Sequence, residues 1–417
     1  MMRIAFAHYS TEDDIGGVST WLIRLASELR RQGWPVAVLL PHTGNHPARS
    51  TIASALRAAD VEVVLQPQLS SDNSAVLQTL DFLNTWKPTV FLPQCQAAHF
   101  IAAAIAGRQG LPWALTVHSD DPQYWSVLNV IKVRRSGGRI ICVSRYLADQ
   151  IKLRGLDPDP ILIPYGVPVS NHRVHHSREP FHVVYSGRVV EMQKRMSLVL
   201  ESLMRACQAS PHIRATIIGD GTALQQCQDR VRAAGLMEAI RFTGRVSVED
   251  VHYYLSEAQA ILLMSDFEGL PVALMEAMAM GVVPVARAIP SGIPELIKHG
   301  ETGLLTSENP RDAAESLLEL ADNPDLWQRC SMASHDLITS SYGEPITLPQ
   351  WRNVIHDLLA ASSPHYPIHQ PVLTWIVPWQ AATINFLWAL PQRKRNLAYQ
   401  RRLWLAKAKH LIKQAFR

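Results

Sequence analysis

Residues 260–284, AILLMSDFEGLPVALMEAMAMGVVP, decide the fold of this chain. The run from Ala260 to Met264 is short and unbrokenly apolar, the pattern of a strand buried on both faces, and the spacing predicts a helix over 272–280. Glu268 therefore stands at a strand's carboxyl end, and Glu276, eight positions on, stands inside the next helix. In open parallel sheets ligands bind beside the carboxyl ends of strands. Free N–H groups at the helix start, near Gly269 and Leu270, favour a phosphate, and the carboxylates accept hydrogen bonds from hydroxyls. A nucleotide sugar carries both kinds of group.

Outward from this stretch, short apolar runs alternate with amphipathic ones, as in a parallel sheet with crossover helices. Strands are predicted over 3–8, 36–40, 61–65, 89–92, 113–117, 139–143 and 161–163. Between the first two, Val18, Trp21, Leu22, Leu25 and Leu29 keep helical spacing. A polar stretch over 169–180 precedes a second series over 182–186, 215–219, 239–242, 260–264, 283–286 and 303–305. The economical reading is two doubly wound, Rossmann-like α/β domains, 1–170 and 180–345, facing a central cleft. A helix over 346–362 packing back on the body and an extension over 363–417 complete the chain.

Composition is compatible with this. The 417 residues are 47% hydrophobic and 18% charged, ordinary for two to three globular domains and unlike a disordered chain. Five cysteines without a C-x-x-C pair argue against a disulfide framework and a thiolate zinc site. The opening MMRIAFAHYSTEDD turns acidic after a very short apolar core, unlike a signal peptide, so a cytoplasmic body is expected.

Charge is unevenly spread. Of 40 Lys and Arg, nine lie beyond Asp357, where there is no Asp or Glu, which leaves 31 basic residues against 36 acidic ones before that point. Within the extension, residues 372–391 are uncharged and carry Trp375, Trp379 and Trp388. A candidate helix then runs to Arg417 with Leu397, Trp404, Ala408, Leu411 and Ala415 on one face and Arg402, Lys409 and Lys413 opposite. That pattern suits peripheral contact with an anionic membrane surface on the inner face. Packing on its own body or on a partner subunit is the alternative. Pro378, Gln380, Thr383 and Asn385 interrupt a run barely long enough to span a bilayer. No nucleic-acid partner is expected.

Two further motifs point at the cleft. Gly16-Gly17 precedes the first predicted helix, where small residues let a backbone approach a ligand; a plain tight turn explains them equally well. In YSGRVVEMQKRM a strand ends at Ser186, and Arg188 with Lys194 or Arg195 sets two or three cations near the same cleft, able to neutralise a diphosphate. A solvated basic loop is the alternative. Asp157-Pro158-Asp159 spells D-x-D, but between prolines and a strand it reads as a surface turn. His172, His175 and His176 lack a carboxylate or thiolate partner at metal-binding spacing and read as an interdomain segment. No metal site is expected.

Taken together the motifs resemble the family-4 retaining glycosyltransferases of the GT-B type. The resemblance covers nearly all of residues 3–360: the Gly16-Gly17 loop, LTVHSD around His118, VSRYLAD (143–149), SGRVVEMQK (186–194), IIGDG (217–221), RFTGRV (241–246), the opening stretch itself, SGIPELI (291–297) and GETGLL (300–305). It implies that Arg188 and Lys194 hold the donor diphosphate. Glu268 with Gly269 and Leu270 binds the transferred sugar and its phosphate, Glu276 binds the ribose, Val246 lies by the base, and His118 reaches the sugar across the cleft. The implied activity moves a glycosyl unit from a nucleotide sugar, UDP- or GDP-linked, to a saccharide or lipid-linked acceptor, without a cofactor. Relatives commonly carry N-G-V-D where this chain has Pro164-Tyr165-Gly166-Val167-Pro168, and often a glycine after the lysine, where this chain has Arg195 and Met196. A GT-B-like sugar-nucleotide epimerase would share the fold, but EGLP followed by GIPEL favours the transferase. A catalytically silent membrane-associated partner protein would lack the donor-site charges that are present here.

Overall fold

The computed structural model describes residues 2–11, 16–69, 72–169, 173–177, 179–361 and 366–369. The extension expected over 363–417 lies outside them apart from residues 366–369, and so does His172. The first half alternates β1 (Ile4–Ala7), β2 (Ser10–Thr11), α1 (Gly17–Arg31), β3 (Val36–Thr43), α2 (Thr51–Ala58), β4 (Glu62–Pro67), α3 (Asp72–Trp86), β5 (Val90–Pro93), α4 (Ala97–Gly107), β6 (Trp113–Val117), α5 (Pro122–Ile131), β7 (Gly138–Cys142), α6 (Arg145–Leu153) and β8 (Ile161–Leu162). The second contains β9 (Phe181–Ser186), α7 (Met196–Ala209), β10 (Ile213–Ile218), α8 (Leu224–Ala233), β11 (Ile240–Gly244), α9 (Val248–Ser256), β12 (Ala260–Leu263), α10 (Val272–Met278), β13 (Val283–Arg287), α11 (Ile293–Leu296) and β14 (Leu304–Thr306). Three helices follow: α12 (Pro310–Asp322), α13 (Pro324–Ser341) and α14 (Glu344–Ala361).

Each half forms its own parallel sheet. The first runs β2-β3-β1-β5-β6-β7-β8 with β4 also on β3, and the second runs β11-β10-β9-β12-β13-β14. Two GT-B-type α/β domains result. In both, the strand order reverses beside the first strand of the domain, which opens a crevice at the carboxyl ends. Ala260 and Ile261 of β12 pair with Val183 and Val184 of β9, so the loops after these two strands leave the sheet side by side.

Every predicted strand is present, with ends displaced by up to three residues. The exception is β2, which the sequence reading missed because its two polar residues carry no apolar pattern. It continues the line of β1, pairing with His42 and Thr43 of β3. The helix expected over 272–280 stops at Met278. Gly281 turns left-handed (φ +78°), its N–H bonds to Met278 O at 2.9 Å and Val282 N–H reaches Ala277 O at 3.1 Å, a Schellman ending. On α1 the buried face is Ser19, Trp21, Leu22, Leu25, Ala26 and Leu29; Val18 stays partly exposed.

The chain returns to its first domain at the end. Val167 and Gly343 form a β-bridge, and Val167 N–H bonds to Tyr342 O at 3.1 Å while Glu344 N–H bonds to Val167 O at 3.0 Å. From there α14 lays Trp351, 1% exposed, against Trp21 with ring centroids 5.1 Å apart. Beyond α14, two side-chain amides act as surrogate strands. Asn84 accepts from Ile368 N–H at 2.6 Å and donates to its carbonyl at 3.1 Å; Gln109 does the same for His369 at 2.7 and 2.9 Å. Removing the Trp351 ring leaves a cavity between α1 and α14. Trp351→Ala is expected to lower unfolding free energy by about 3–5 kcal/mol, read from the urea midpoint.

Candidate active site

The crevice between β9 and β12 gathers the charged residues that the sequence singled out. Lys194, from the loop after β9, donates from Nζ to Glu268 Oε1 at 2.6 Å, and Glu268, from the loop after β12, is 7% exposed. Arg188 begins the same loop as Lys194, exposed, with Nη2 donating to Gln193 Oε1 at 2.6 Å. Among the described residues no carboxylate lies within ion-pair distance of Arg188, so its charge is uncompensated. Val246 stands just past β11, half-buried.

This loop is held under local strain. Gln193 and Arg195 are left-handed, φ +75° and +51°, a conformation that disfavours a residue with a side chain by about 1–2 kcal/mol. Cross-ties to the β12 loop keep it there: Asp266 N–H bonds to Gln193 O at 2.8 Å, Gln193 Nε2 donates to Phe267 O at 3.2 Å, and Arg195 Nη1 bonds both Asp266 oxygens at 3.1 and 3.2 Å. A glycine would adopt the Arg195 conformation freely. Here the Arg195–Asp266 pair substitutes for that freedom, and the cost of strain leaves Lys194 fixed opposite Glu268.

The first domain closes on this site with backbone. A Cβ on Gly269 would lie 1.9 Å from His118 O, so that position requires glycine, and one on Gly17 would press on Val272 Cβ at 3.1 Å, a tight contact. Gly16, the N-cap of α1, has open space around it. Leu270 is buried, and Gly292 N–H bonds to Gly269 O at 2.7 Å. Glu295 seals the next contact across the cleft. Its carboxylate accepts from Arg145 N–H and Tyr146 N–H, each at 2.9 Å, at the start of α6, where a negative charge also meets the favourable end of the helix dipole. Glu276 is not beside Lys194. It pairs with Arg24 of α1 at 2.7 Å.

His118 stands in a neutral floor. Its Nδ1 lies 2.5 Å from Tyr165 Oη and its Nε2 lies 2.7 Å from Gln94 Oε1. Gln94 Nε2 donates to Leu92 O at 3.0 Å, which turns its oxygen toward the imidazole. His118 therefore carries its proton on Nε2 and accepts the Tyr165 hydroxyl proton at Nδ1. In this geometry neither ring nitrogen is open to the cleft. Burial, then the neighbouring His8, holds His118 well below its ordinary value. Burial likewise brings His8 to about 3, with His99 adding to the effect, and His99 to about 4.

The other sequence candidates fall elsewhere. Asp157 is buried in a turn, with Oδ1 accepting Asp159 N–H at 3.0 Å and lying 3.4 Å from Arg134 Nε. His176 packs on Trp327 at 5.5 Å. Among the described residues no cluster of three ligand-type side chains occurs, and the five cysteines are free thiols.

The chain matches Glycosyltransferase Family 4 over residues 15–171 and Glycosyl transferases group 1 over residues 170–336. It belongs to the family-4 glycosyltransferases. The amylovoran biosynthesis glycosyltransferase AmsK of Erwinia amylovora is 34% identical over 146 residues, 34% of this chain and 35% of that protein. The lipopolysaccharide 1,6-galactosyltransferase of Salmonella typhimurium is 31% identical over 172 residues, 40% and 47% of the two chains. The matches thus span about a third to a half of these relatives' length. HepE of Anabaena, solved with UDP and glucose, superposes with a TM-score of 0.70 at 17% identity over 85% of this chain and 100% of that one. Sucrose-phosphate synthase of Thermosynechococcus elongatus gives 0.70 at 16% identity over 87% and 100%. Likeness at such identity fixes the GT-B fold.

For this family-4 member the sequence reading missed Gln94, Tyr165, Arg24 and Glu295 as parts of the site. Tyr165 had a signal, since it lies in the Pro164-Tyr165-Gly166-Val167-Pro168 stretch that departs from the family pattern the resemblance implies. The neutral floor has a consequence for stability. His8, His99 and His118 stay uncharged when folded but protonate near pH 6.5 when unfolded, so the unfolded chain binds more protons as pH falls and stability is lost below about pH 6.5. His8 and His99 each remove about 1.6 kcal/mol between pH 6.5 and 5, and His118 acts in the same direction. His8→Gln is expected to abolish its share, and identical losses in variant and wild type, measured by urea unfolding at both pH values, would contradict this.

Proposed function

We propose that this chain is a retaining, metal-independent glycosyltransferase that moves a sugar from a nucleotide diphosphate sugar to a saccharide or lipid-linked acceptor. The observation that carries the reading is the Lys194–Glu268 pair at the switch point, 2.6 Å apart, with the uncompensated Arg188 on the same loop. A diphosphate needs fixed cations and a sugar needs a carboxylate to receive its hydroxyls; this crevice offers both within one contact.

The transfer breaks the bond from the anomeric carbon to the β-phosphate oxygen and forms one to the acceptor oxygen on the same face. The departing phosphate takes the acceptor's proton. Negative charge grows on that phosphate in the transition state, and positive charge grows on the sugar ring. Arg188, bonded to a neutral amide, keeps its charge for the first; Lys194 lies between phosphate and sugar; Glu268 faces the second. Such preorganised groups lower the barrier more than they tighten the ground state. Gly269 and Leu270 offer backbone N–H groups, Gly16 gives the diphosphate room while Gly17 lets α1 start close against Val272, Glu276 takes the ribose and Val246 the base. His118 engages the sugar by exchanging its Gln94 bond for a sugar oxygen, its Nε2–H donating.

The names of AmsK and the Salmonella galactosyltransferase support an acceptor in cell-surface polysaccharide or glycolipid synthesis, and the UDP and glucose held by HepE support a UDP-sugar as the first donor to test. Among the described residues no helix is long and apolar enough to cross a membrane. The cationic, tryptophan-bearing extension supports peripheral work at the inner face of an anionic membrane, with the body in the cytoplasm. Truncation after Pro364 is expected to abolish cosedimentation with anionic liposomes; unchanged sedimentation would remove the membrane from the reading.

In a panel of UDP- and GDP-sugars, Arg188→Ala and Lys194→Ala are each expected to lower kcat by roughly 100-fold or more, with wild-type turnover unchanged in EDTA. Turnover near wild type in both variants would overturn the donor-site assignment.

A further inference from the structure

We propose that Arg24, on the first domain, positions Glu276 for the donor ribose, so that ribose recognition is completed only when both domains meet. The inference rests on the reading of Glu276 as the ribose ligand. Arg24 and Glu276 are 252 residues apart in sequence and sit on helices of different domains, yet Nη2 donates to Oε1 at 2.7 Å. The side chains are only 16% and 13% exposed, which sets the pair apart from the solvated surface bridges that contribute little.

The placement follows from the fold. Gly17 at the start of α1 touches Val272 at the start of α10. From those adjacent starts Arg24 is two turns along α1 and Glu276 one turn along α10. A third side chain completes the arrangement: Glu344, opening α14, lies 3.8 Å from Arg24 Nε. The guanidinium is thus held between two carboxylates and fixes the rotamer of Glu276 through one oxygen. The other oxygen, Oε2, accepts no bond from any described residue, and it is the atom left to receive a ribose hydroxyl. Arg24 Nη1 is buried without a partner. Native contacts rarely leave such a donor orphaned, so stability alone is a poor account of the pair. A guanidinium that merely plugged the ribose site would give the opposite result in the test below.

The test compares binding of UDP with 2′-deoxy- and 3′-deoxy-UDP, and of GDP with its deoxy counterparts, by calorimetric titration. For whichever nucleotide binds, the wild type is expected to favour the ribonucleotide by about 10-fold or more, as for a hydrogen bond to a charged acceptor. In Arg24→Met that preference should fall below about threefold, through weaker ribonucleotide binding with the deoxy forms little changed. In a Glu276→Ala background, adding Arg24→Met should change neither. A ratio within one variant is insensitive to its folded fraction, and Arg24→Gln, which keeps a polar side chain, should lose the preference likewise. Wild-type discrimination retained in both Arg24 variants overturns the proposal, as does tighter ribonucleotide binding. A wild type that does not distinguish ribo from deoxy forms overturns the Glu276 reading itself, whatever Arg24 does.

Discussion

The carbonyl oxygen of His118 leaves no space for a side chain at position 269, and the cleft depends on that contact. It joins the end of β6 in the first sheet to the loop after β12 in the second, so the two carboxyl edges meet through main chain. Gly292 extends the seam: a Cβ there would stand 2.2 Å from Gly269 O and 3.1 Å from Ser144 Cβ. Glu295 then receives the amides that open α6. Because the seam is made of glycines and helix-end amides, it consumes neither Lys194 nor Glu268. The glycine of EGLP and the glutamate of GIPEL thus acquire mechanical duties distinct from the chemistry beside them.

The two domains bring unlike electrostatics to this seam. On the first, His8, Gln94, His99 and His118 are buried and uncharged, because removing an imidazolium from water is opposed more strongly than any neighbour favours it. On the second, Arg188 is exposed, and the largely buried charges of Lys194 and Glu268 sustain each other as an ion pair. In the proposed reaction the neutral floor suits sugar hydroxyls and the charged side suits the diphosphate. Backbone strain occurs on both sides, at Cys95 (φ +59°) next to Gln94 and at Gln193 and Arg195 in the charged loop. A loop that carries cations must be prevented from relaxing toward solvent, and the ties from Asp266 and Phe267 do this at Gln193 and Arg195.

Much of this was legible in the sequence because parallel sheets advertise themselves. Strands buried on both faces appear as apolar runs, and residues just past them are placed at the crevice by topology alone, which is why Arg188, Lys194 and Glu268 could be grouped before any coordinates. What local pattern cannot carry is partnership across the cleft. Nothing near Arg24 names Glu276, and nothing near Tyr146 names Glu295, since those pairings arise only when two independently wound sheets face each other. His118 was legible as a strand-end residue, but its satisfaction by Gln94 and Tyr165 was not. The short β2 escaped because two polar residues paired to the end of β3 have no periodicity to read.

Tyr165 ties the hinge to the floor. It is 3% exposed, its ring lies parallel to His118 at 5.7 Å, and Trp21 meets both edge-on at 5.4 and 5.6 Å. Two residues later Val167 is bridged to Gly343, and α14 carries Trp351 onto the same Trp21. Everything up to Val167, together with α14, is therefore packed as one body with the first domain. An opening of the cleft that preserves these contacts must pivot beyond Val167 on the outgoing strand and before Gly343 on the returning one. Tyr165 thus belongs to the floor, through its hydroxyl contact with His118 Nδ1 and its packing on Trp21, and not to that pivot.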